Sequence, residues 1–330
     1  MRPAWWRRGM PQTQTTYVVL AFVALVVVIS ILAPVFMTPR NLLNISKNFS
    51  FIALMSLGET LVIISGGIDL SVGSICALSA VATMMAMRFL SWTAAAQVPG
   101  ATITLAALLA LALAALIGLV NGVFVARVRL SPFVTTLGML SVARGMTYVL
   151  TQGRAQYPIG PDVAIFTRFA NGTVLGLPTQ LVYLLVFAVL MALALRHFVW
   201  GRHLYAVGGN SQAAALTGVR VPRVVLSVYV LSGLAAGFSG VLIAGWLGAA
   251  PANLATGYEL RVIAAAVIGG ANLAGGVGGA AGALIGAALI EVIRNGFVLI
   301  GANAYWEEVF VGVIIIIAVL VDQLRTRRIF

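Results

Sequence analysis

Ten apolar runs, most of them close to twenty residues long, follow one another along this chain and leave little between them. They cover about 17–36, 49–65, 71–90, 101–125, 132–150, 180–200, 224–247, 258–270, 276–299 and 309–324. A hydrocarbon core about 30 Å thick takes roughly 20 helical residues to cross, so each run of that length reads as a membrane span. The chain also has too few charges to cover a soluble globule. Only 8% of its 330 residues are charged and 61% are hydrophobic, against about 25% and 45–50% in ordinary soluble domains. A soluble enzyme is thereby excluded, and no room remains for a separate soluble domain. The expected fold is an all-α polytopic membrane protein of about ten transmembrane helices. The run at 258–270 is short and bounded by glycines, which fits a broken or partly re-entrant segment.

The net charge of +12 does not point to nucleic acid. The cations sit mainly at the ends of apolar runs, where anionic lipid and topology explain them. The first run follows Arg2, Arg7 and Arg8, exceeds the usual 7–15 apolar residues of a signal peptide and lacks a small-x-small cleavage site. It reads as a retained span. With an even count, Arg2, Arg7, Arg8, Arg127, Arg129, Arg196, Arg202, Arg220, Arg223, Arg325, Arg327 and Arg328 share one face of the membrane. Arg40, Lys47, Arg88, Arg154 and Arg168 share the other. Positive charge marks the cytoplasmic side, so both termini are expected inside. The expected organisation is a cytoplasmic segment 1–16, a membrane domain 17–324 and a basic cytoplasmic tail 325–330.

Two longer polar stretches interrupt the runs. The stretch 151–179 is expected outside and 201–223 inside. In the second, Ala213, Ala214, Ala215 and Leu216 lie between Asn210 and Gly218, a pattern for a short helix capped by Asn210 or Ser211 and stopped by Gly218. A weak internal repeat sets Gly66-Gly67-Ile68-Asp69-Leu70-Ser71-Val72-Gly73 beside Gly269-Gly270-Ala271-Asn272-Leu273-Ala274-Gly275-Gly276. Both copies fall at a turn between spans, and duplicated halves are common among transporters. Glycines recur at helical spacing at Gly233, Gly237, Gly240 and Gly245, and again from Gly275 to Gly286, a pattern that lets helices approach closely in lipid.

Little here can carry covalent chemistry. The only lysine, Lys47, lies in Ile-Ser-Lys-Asn-Phe, which excludes a nucleotide-binding P-loop. The single cysteine, Cys76, makes an intramolecular disulfide impossible, and the two histidines, His197 and His203, lie among arginines without a metal-binding pattern. No catalytic, cofactor-binding or metal-binding residues are therefore assigned. Glu59 falls inside the second span, where a carboxylate faces either a hydrated pathway or a hydrogen-bonding neighbour; both readings stand. Asn121 and Asn295, with Thr135 and Thr136, are neutral donors suited either to a sugar-like solute or to joining helices. Glu59, Asn121 and Asn295 are the candidate pathway residues. Arg144 is expected to pair with a carboxylate or with backbone carbonyls, and Glu291 with Arg294 one helical turn away.

Gly66-Gly67-Ile68-Asp69-Leu70-Ser71-Val72-Gly73-Ser74 resembles the permease subunits of bacterial ribose-type ABC sugar importers. So do Asn41-Leu42-Leu43-Asn44-Ile45, Thr60-Leu61-Val62-Ile63, Arg144-Gly145, Tyr205-Ala206-Val207-Gly208-Gly209-Asn210, Gly257-Tyr258-Glu259-Leu260, Val267-Ile268-Gly269-Gly270 and Ala318-Val319-Leu320-Val321-Asp322. The likeness runs in order from about 17 to 325. It implies a type II-like importer permease that pairs with a second permease copy or paralogue, two cytoplasmic ATPase subunits that bind the ATP, and a periplasmic sugar-binding protein. The cargo would be ribose or a related pentose, methylpentose or polyol, carried across the bacterial inner membrane. By the same likeness Gly66, Gly67, Asp69, Ser71 and Gly73 form the family's motif turn, and 201–223 supplies an ATPase-coupling helix with Gly201, Gly208, Gly209, Asn210, Ala214 and Gly218 at matching positions. Arg261 departs from the family, which usually carries an acidic residue there, and Glu59 stands where relatives often carry an uncharged one. The rival functions are a proton-coupled secondary carrier working through Glu59 and a non-transporting membrane scaffold.

Overall fold

The computed structural model describes residues 12–301 together with Trp306, Val309, Phe310, Gly312, Val313 and Ile316. Arg2, Arg7 and Arg8, the run 309–324 in the main, the motif ending at Asp322 and the tail with Arg325, Arg327 and Arg328 lie outside the described residues.

Within hydrocarbon a backbone amide or carbonyl has no water to bond, so each apolar run closes its hydrogen bonds internally as a helix. The helices are α1 (Gln12–Leu32), α2 (Pro39–Ile64), α3 (Val72–Leu90), α4 (Ala101–Val123), α5 (Pro132–Thr151), α6 (Val163–Asn171), α7 (Thr179–His197), α8 (Val199–Gly209), α9 (Ser211–Leu216), α10 (Val221–Leu247), α11 (Tyr258–Ile268) and α12 (Ala280–Leu299). Among the described residues seven are long and apolar enough to cross a membrane, namely α2, α3, α4 with the π-helical turn that follows it, α5, α7, α10 and α12; Val18–Leu32 of α1 is a shorter apolar helix. The sequence expectation of about ten spans differs from this count at three places. The described apolar part of α1 is short, the tenth run is largely outside the described residues, and α11 has only 11 residues. At 1.5 Å per residue α11 covers about 16 Å, roughly half of the hydrocarbon core.

The polar stretches are also more structured than their composition suggests. The stretch 201–223 does not begin as a loop: Phe198, in extended conformation, breaks the chain after α7, and α8 begins at once. The stretch 151–179 holds α6 and a two-stranded antiparallel hairpin pairing Thr173 with Pro178 and Val174 with Leu177.

The described residues divide into two units. One comprises those up to Gly67, 187–219 and those from Leu260 onward; the other comprises Ile68–Val186 and Arg220–Glu259. In the first unit α12 packs against α1 and α2. Ile29, Phe36 and Val292 form its apolar contact, and Gly296 lets α12 come down on the Ile29 side chain. The amides of Asn41 and Asn295 bond each other in both directions at 2.9 Å, and Asn41 Nδ2 also donates to the Phe36 carbonyl. Glu291 and Arg294 form the expected pair, with Arg294 Nη2 2.6 Å from Glu291 Oε1.

In the second unit α10 is the central element. Its glycines face successive neighbours: a Cβ at Gly233 would meet the Ala114 carbonyl of α4, at Gly240 the Cys76 carbonyl of α3, and at Gly245 the Phe166 ring of α6. The glycine spacing read from the sequence is thus a packing code, because only a bare Cα lets these backbones lie in contact. Gly118 of α4 answers from the other side, where a Cβ would fall on the Tyr229 carbonyl of α10. By contrast α5 is the outermost helix, with 17% of its most apolar stretch buried, against 67% for α10.

One carboxylate ties the stretch 151–179 to the start of α4. Asp162 Oδ1 accepts from the Gly100 amide at 2.8 Å, and Oδ2 accepts from the Thr102 amide and hydroxyl at 2.9 and 2.5 Å and from the Ile103 amide at 3.5 Å. These amides are the orphan donors at the start of α4, so a residue distant in sequence supplies the cap that Gly100 cannot. Burial pushes the carboxyl up, but the bonds from Thr102, Gly100 and Ile103 outweigh it and hold Asp162 below its ordinary range. A carboxylate with a depressed folded pKa contributes stability above the unfolded value of about 3.9 and loses it as pH falls through the folded one. Asp162→Ala is expected to cost about 1 kcal/mol in thermal unfolding in detergent at neutral pH. The gap to the unsubstituted protein should narrow once the pH is below about 3.9.

A Cβ at Gly240 has only backbone to displace. Gly240→Val is expected to cost about 1–3 kcal/mol by the overpacking it forces. Gly138→Ala on α5, where nothing lies within 4 Å, should leave the melting temperature unchanged in the same assay.

Candidate functional site

Two regions gather the residues singled out in the sequence. The first is the α8–α9 corner. Asn210, in extended conformation, interrupts the helix, and its Oδ1 accepts from the Ala213 amide at 2.9 Å. That bond supplies the N-cap that starts α9. Six residues later α9 stops: the Val219 amide returns to the Ala214 carbonyl at 3.1 Å, and Gly218 takes a left-handed φ of +89°. The short helix read from the sequence is therefore present, capped by Asn210 and closed at Gly218. Its side chains are exposed except for Ala214, and Leu216 is 91% exposed. An exposed leucine on a capped single-turn helix is a rigid apolar knob.

The other residues of that stretch are placed differently. Gly201 is buried at the start of α8, where a Cβ would strike the carbonyls of Ala194 and Leu195; it sets the α7–α8 corner and lies away from α9. Gly208 is packed against the Ile64 carbonyl that ends α2 and the Gly276 amide that precedes α12, whereas Gly209 faces open space. Tyr205 and Gly276 join here. Tyr205 Oη donates to the Gly278 carbonyl at 2.7 Å, and the Gly276 amide donates to the Ile64 carbonyl at 2.8 Å.

The second region is the turn between α2 and α3. Gly66 has a φ of +85°, and the Gly67 amide reaches back to the Val62 carbonyl at 3.0 Å, a Schellman close to α2. Asp69 then accepts from the Ser71 amide at 3.0 Å and the Ser71 hydroxyl at 2.5 Å, and its second oxygen accepts from Ser232 Oγ of α10 at 3.2 Å. Asn121 Nδ2 of α4 donates to Ser71 Oγ at 2.9 Å. Asp69, Ser71, Asn121 and Ser232 are all fully buried. Burying a carboxyl group is costly unless it is hydrogen-bonded, and three donors meet this one. Thr136 completes the surround by donating to the Ile68 carbonyl at 3.2 Å. Gly73 opens α3 beneath the segment before α11, where a Cβ would strike Glu259 Oε2 and the Ala255 carbonyl. Two separate stretches of the resemblance thus meet at Gly73.

The second copy of the repeat uses the same devices. After α11 the Ala271 amide returns to the Ala266 carbonyl at 3.0 Å, and Asn272 Oδ1 accepts from the Ala274 amide at 2.7 Å. A Schellman close and an Asx turn recur in the same order, with the Asx residue one position nearer the helix than Asp69.

The three candidate pathway residues have the following surroundings. Glu59 is buried within α2. Asn121 holds the Asp69 turn, and Asn295 holds α12 to Asn41 of α2. Arg144 donates to the Leu254 carbonyl at 2.7 Å, the backbone alternative of the two expected for it. Ser232 was missed because single hydroxyls in apolar runs are common and carry no spacing signal.

A family model described as branched-chain amino acid transport system, permease component, matches residues 41–319. The chain is 38% identical over 307 residues to the ribose import permease protein RbsC of Escherichia coli (strain K12), covering 92% of each chain. It is 36% identical over 307 residues to the RbsC of Bacillus subtilis (strain 168), covering 93% of this chain and 92% of that one. To the galactose/methyl galactoside import permease protein MglC of Escherichia coli (strain K12) it is 36% identical over 317 residues, 93% of this chain and 94% of the relative. No solved structure matches the chain.

Asp69→Ala leaves Ser71 and Ser232 without their acceptor and is expected to cost about 1–3 kcal/mol. Asn121→Ala removes one interhelical bond and should cost only about 0.6 kcal/mol, the usual value within membranes. Thermal unfolding in detergent micelles measures both.

Proposed function

The chain belongs to the ribose-type family of ABC importer permeases, a multi-pass inner-membrane protein, and from that premise we propose that it moves a monosaccharide inward, powered by separate ATPase subunits. The cargo we propose is ribose or a related pentose, methylpentose or polyol. Two of the relatives named above are ribose permeases and the third is a galactose/methyl galactoside permease, so hexoses belong among the solutes tested. A second permease, identical or paralogous, two ATPase subunits and a periplasmic sugar-binding protein complete the proposed assembly. Both termini would lie in the cytoplasm, as the arginine distribution requires.

The observation that carries this reading is the α8–α9 corner. A six-residue helix, capped at one end by Asn210 and closed at the other by Gly218, presents Leu216 to solvent. A partner ATPase that grips such a knob can transmit its closure as a rigid-body displacement. Gly209, Asn210 and Gly218 would shape the docking face, and Ala214 would anchor α9 to its own chain. For Asn295 we favour a bracing role, since its amide bonds that of Asn41 in both directions; Asn121 donates Nδ2 to Ser71 while its buried Oδ1 has no partner among the described residues, and it stays with Glu59 as a proposed pathway residue.

Solute-stimulated ATP hydrolysis tests the proposal. The chain is co-reconstituted in proteoliposomes with its co-purifying ATPase, and sugars are presented with their binding proteins. Stimulation by one sugar supports the importer reading and names the cargo. Flux that persists without ATP and collapses with an uncoupler would overturn it in favour of a Glu59 carrier. Leu216→Asp places a charge on the proposed knob, and uptake is expected to fall at least about tenfold, within the range of single-residue interface effects, with unchanged membrane insertion.

A further inference from the structure

Resting on the importer reading, we propose that Gly208, Gly275 and Gly276, with Tyr205, form a transmission joint that makes the α9 knob move as one body with the ends of α2 and α12. The argument begins with how closely three backbones meet. A Cβ placed on Gly208 would fall on the Ile64 carbonyl and also crowd the Gly276 amide. One placed on Gly275 would crowd the Gly208 carbonyl and lie 3.1 Å from the Gly66 Cα, and one on Gly276 would lie 3.1 Å from the Gly209 Cα. Side chains are absent from this contact, so main chain lies directly on main chain.

Hydrogen bonds tie the same three segments. Gly276 donates to the Ile64 carbonyl at 2.8 Å, and Tyr205 Oη of α8 donates to the Gly278 carbonyl at 2.7 Å. Gly275 and Gly276 have φ of +93° and +75°, a conformation that side chains resist. The last turn of α8 is therefore welded at once to the end of α2 and to the segment that leads into α12. Only Asn210 separates the end of α8 from α9.

The physical consequence is stiffness. A contact made through long side chains absorbs a displacement by changing rotamers, whereas backbone against backbone has no soft torsion to yield, and packed interfaces shift between discrete arrangements. Asn295 on α12 is in turn bonded to Asn41 on α2, so the two helices gripped by the joint are also tied to each other. Gly208 and Tyr205 act here as positioning residues; neither is assigned a contact with cargo or ATPase.

The test is the ratio of sugar taken up to ATP hydrolysed, measured in the same proteoliposomes with the full complex. If the unsubstituted complex shows no sugar-stimulated hydrolysis, the importer reading fails and the joint with it. Where it does, Gly208→Ala is expected to lower the ratio by about tenfold, in the middle of the usual range of coupling between sites, while hydrolysis persists. Tyr205→Phe, which removes one bond and adds no bulk, should lower it by a smaller factor, with a melting temperature that falls no further than in Asn121→Ala. Uptake and hydrolysis falling in proportion would overturn the joint, because that marks lost docking or folding. An unchanged ratio in Gly208→Ala would overturn it too. Should Gly208→Ala fail to assemble, the Tyr205→Phe ratio decides, and no change there overturns the proposal.

Discussion

In hydrocarbon every backbone amide and carbonyl must find its partner within the protein, and the rest of this structure follows from that requirement. It makes each apolar run a helix. It also makes each helix end a problem, since the first amides and last carbonyls of a helix have no partner within it. At α2, α9 and α11 the carbonyls are taken up by Schellman closes, and at α4 the amides are taken up by Asp162 from a remote segment.

The two aspartates at those ends show the same economy. Asp69 and Asp162 are buried, and each accepts from at least three donors. Each thereby acts as a pin that holds one segment against another. Glu291 solves its own burial by a neighbour one turn away, Arg294. The difference matters: the Glu291 pair stabilises one helix, whereas Asp69 and Asp162 determine where separate segments sit. In the importer reading such pins let a push at one end travel without being dissipated in loose turns.

Much of this architecture is readable from local pattern. The runs, the Asn210 cap and Gly218 stop of α9, the glycine ladder of α10 and the Glu291–Arg294 pair depend only on residues within a turn or two of one another. Hydropathy and helical spacing report such relations directly. The short run at 258–270 was legible for the same reason. Less legible were α8 and α6, because at 11 and 9 residues they are too short to stand out as apolar runs; Phe198, which separates α7 from α8, carries no breaker signal of its own. The resemblance pointed to the turn at Gly66 to Gly73 and to the 201–223 stretch as places of interest. It did not say what each residue there touches.

What the sequence by itself determined is therefore the kind of molecule: a membrane-embedded helical permease, with its apolar runs, its capped short helix and its family. What only the tertiary structure decided is which glycine bears a load and which faces open space, as Gly208 and Gly209 do side by side. It also decided that Asn121 bonds Ser71, that Asn295 bonds Asn41, and that Asp162 caps α4. The physical reason is range. A helix is written in the residues of its own few turns, whereas a backbone contact or a buried hydrogen bond needs a partner from a distant part of the chain, and one sequence carries no mark of which partner that is.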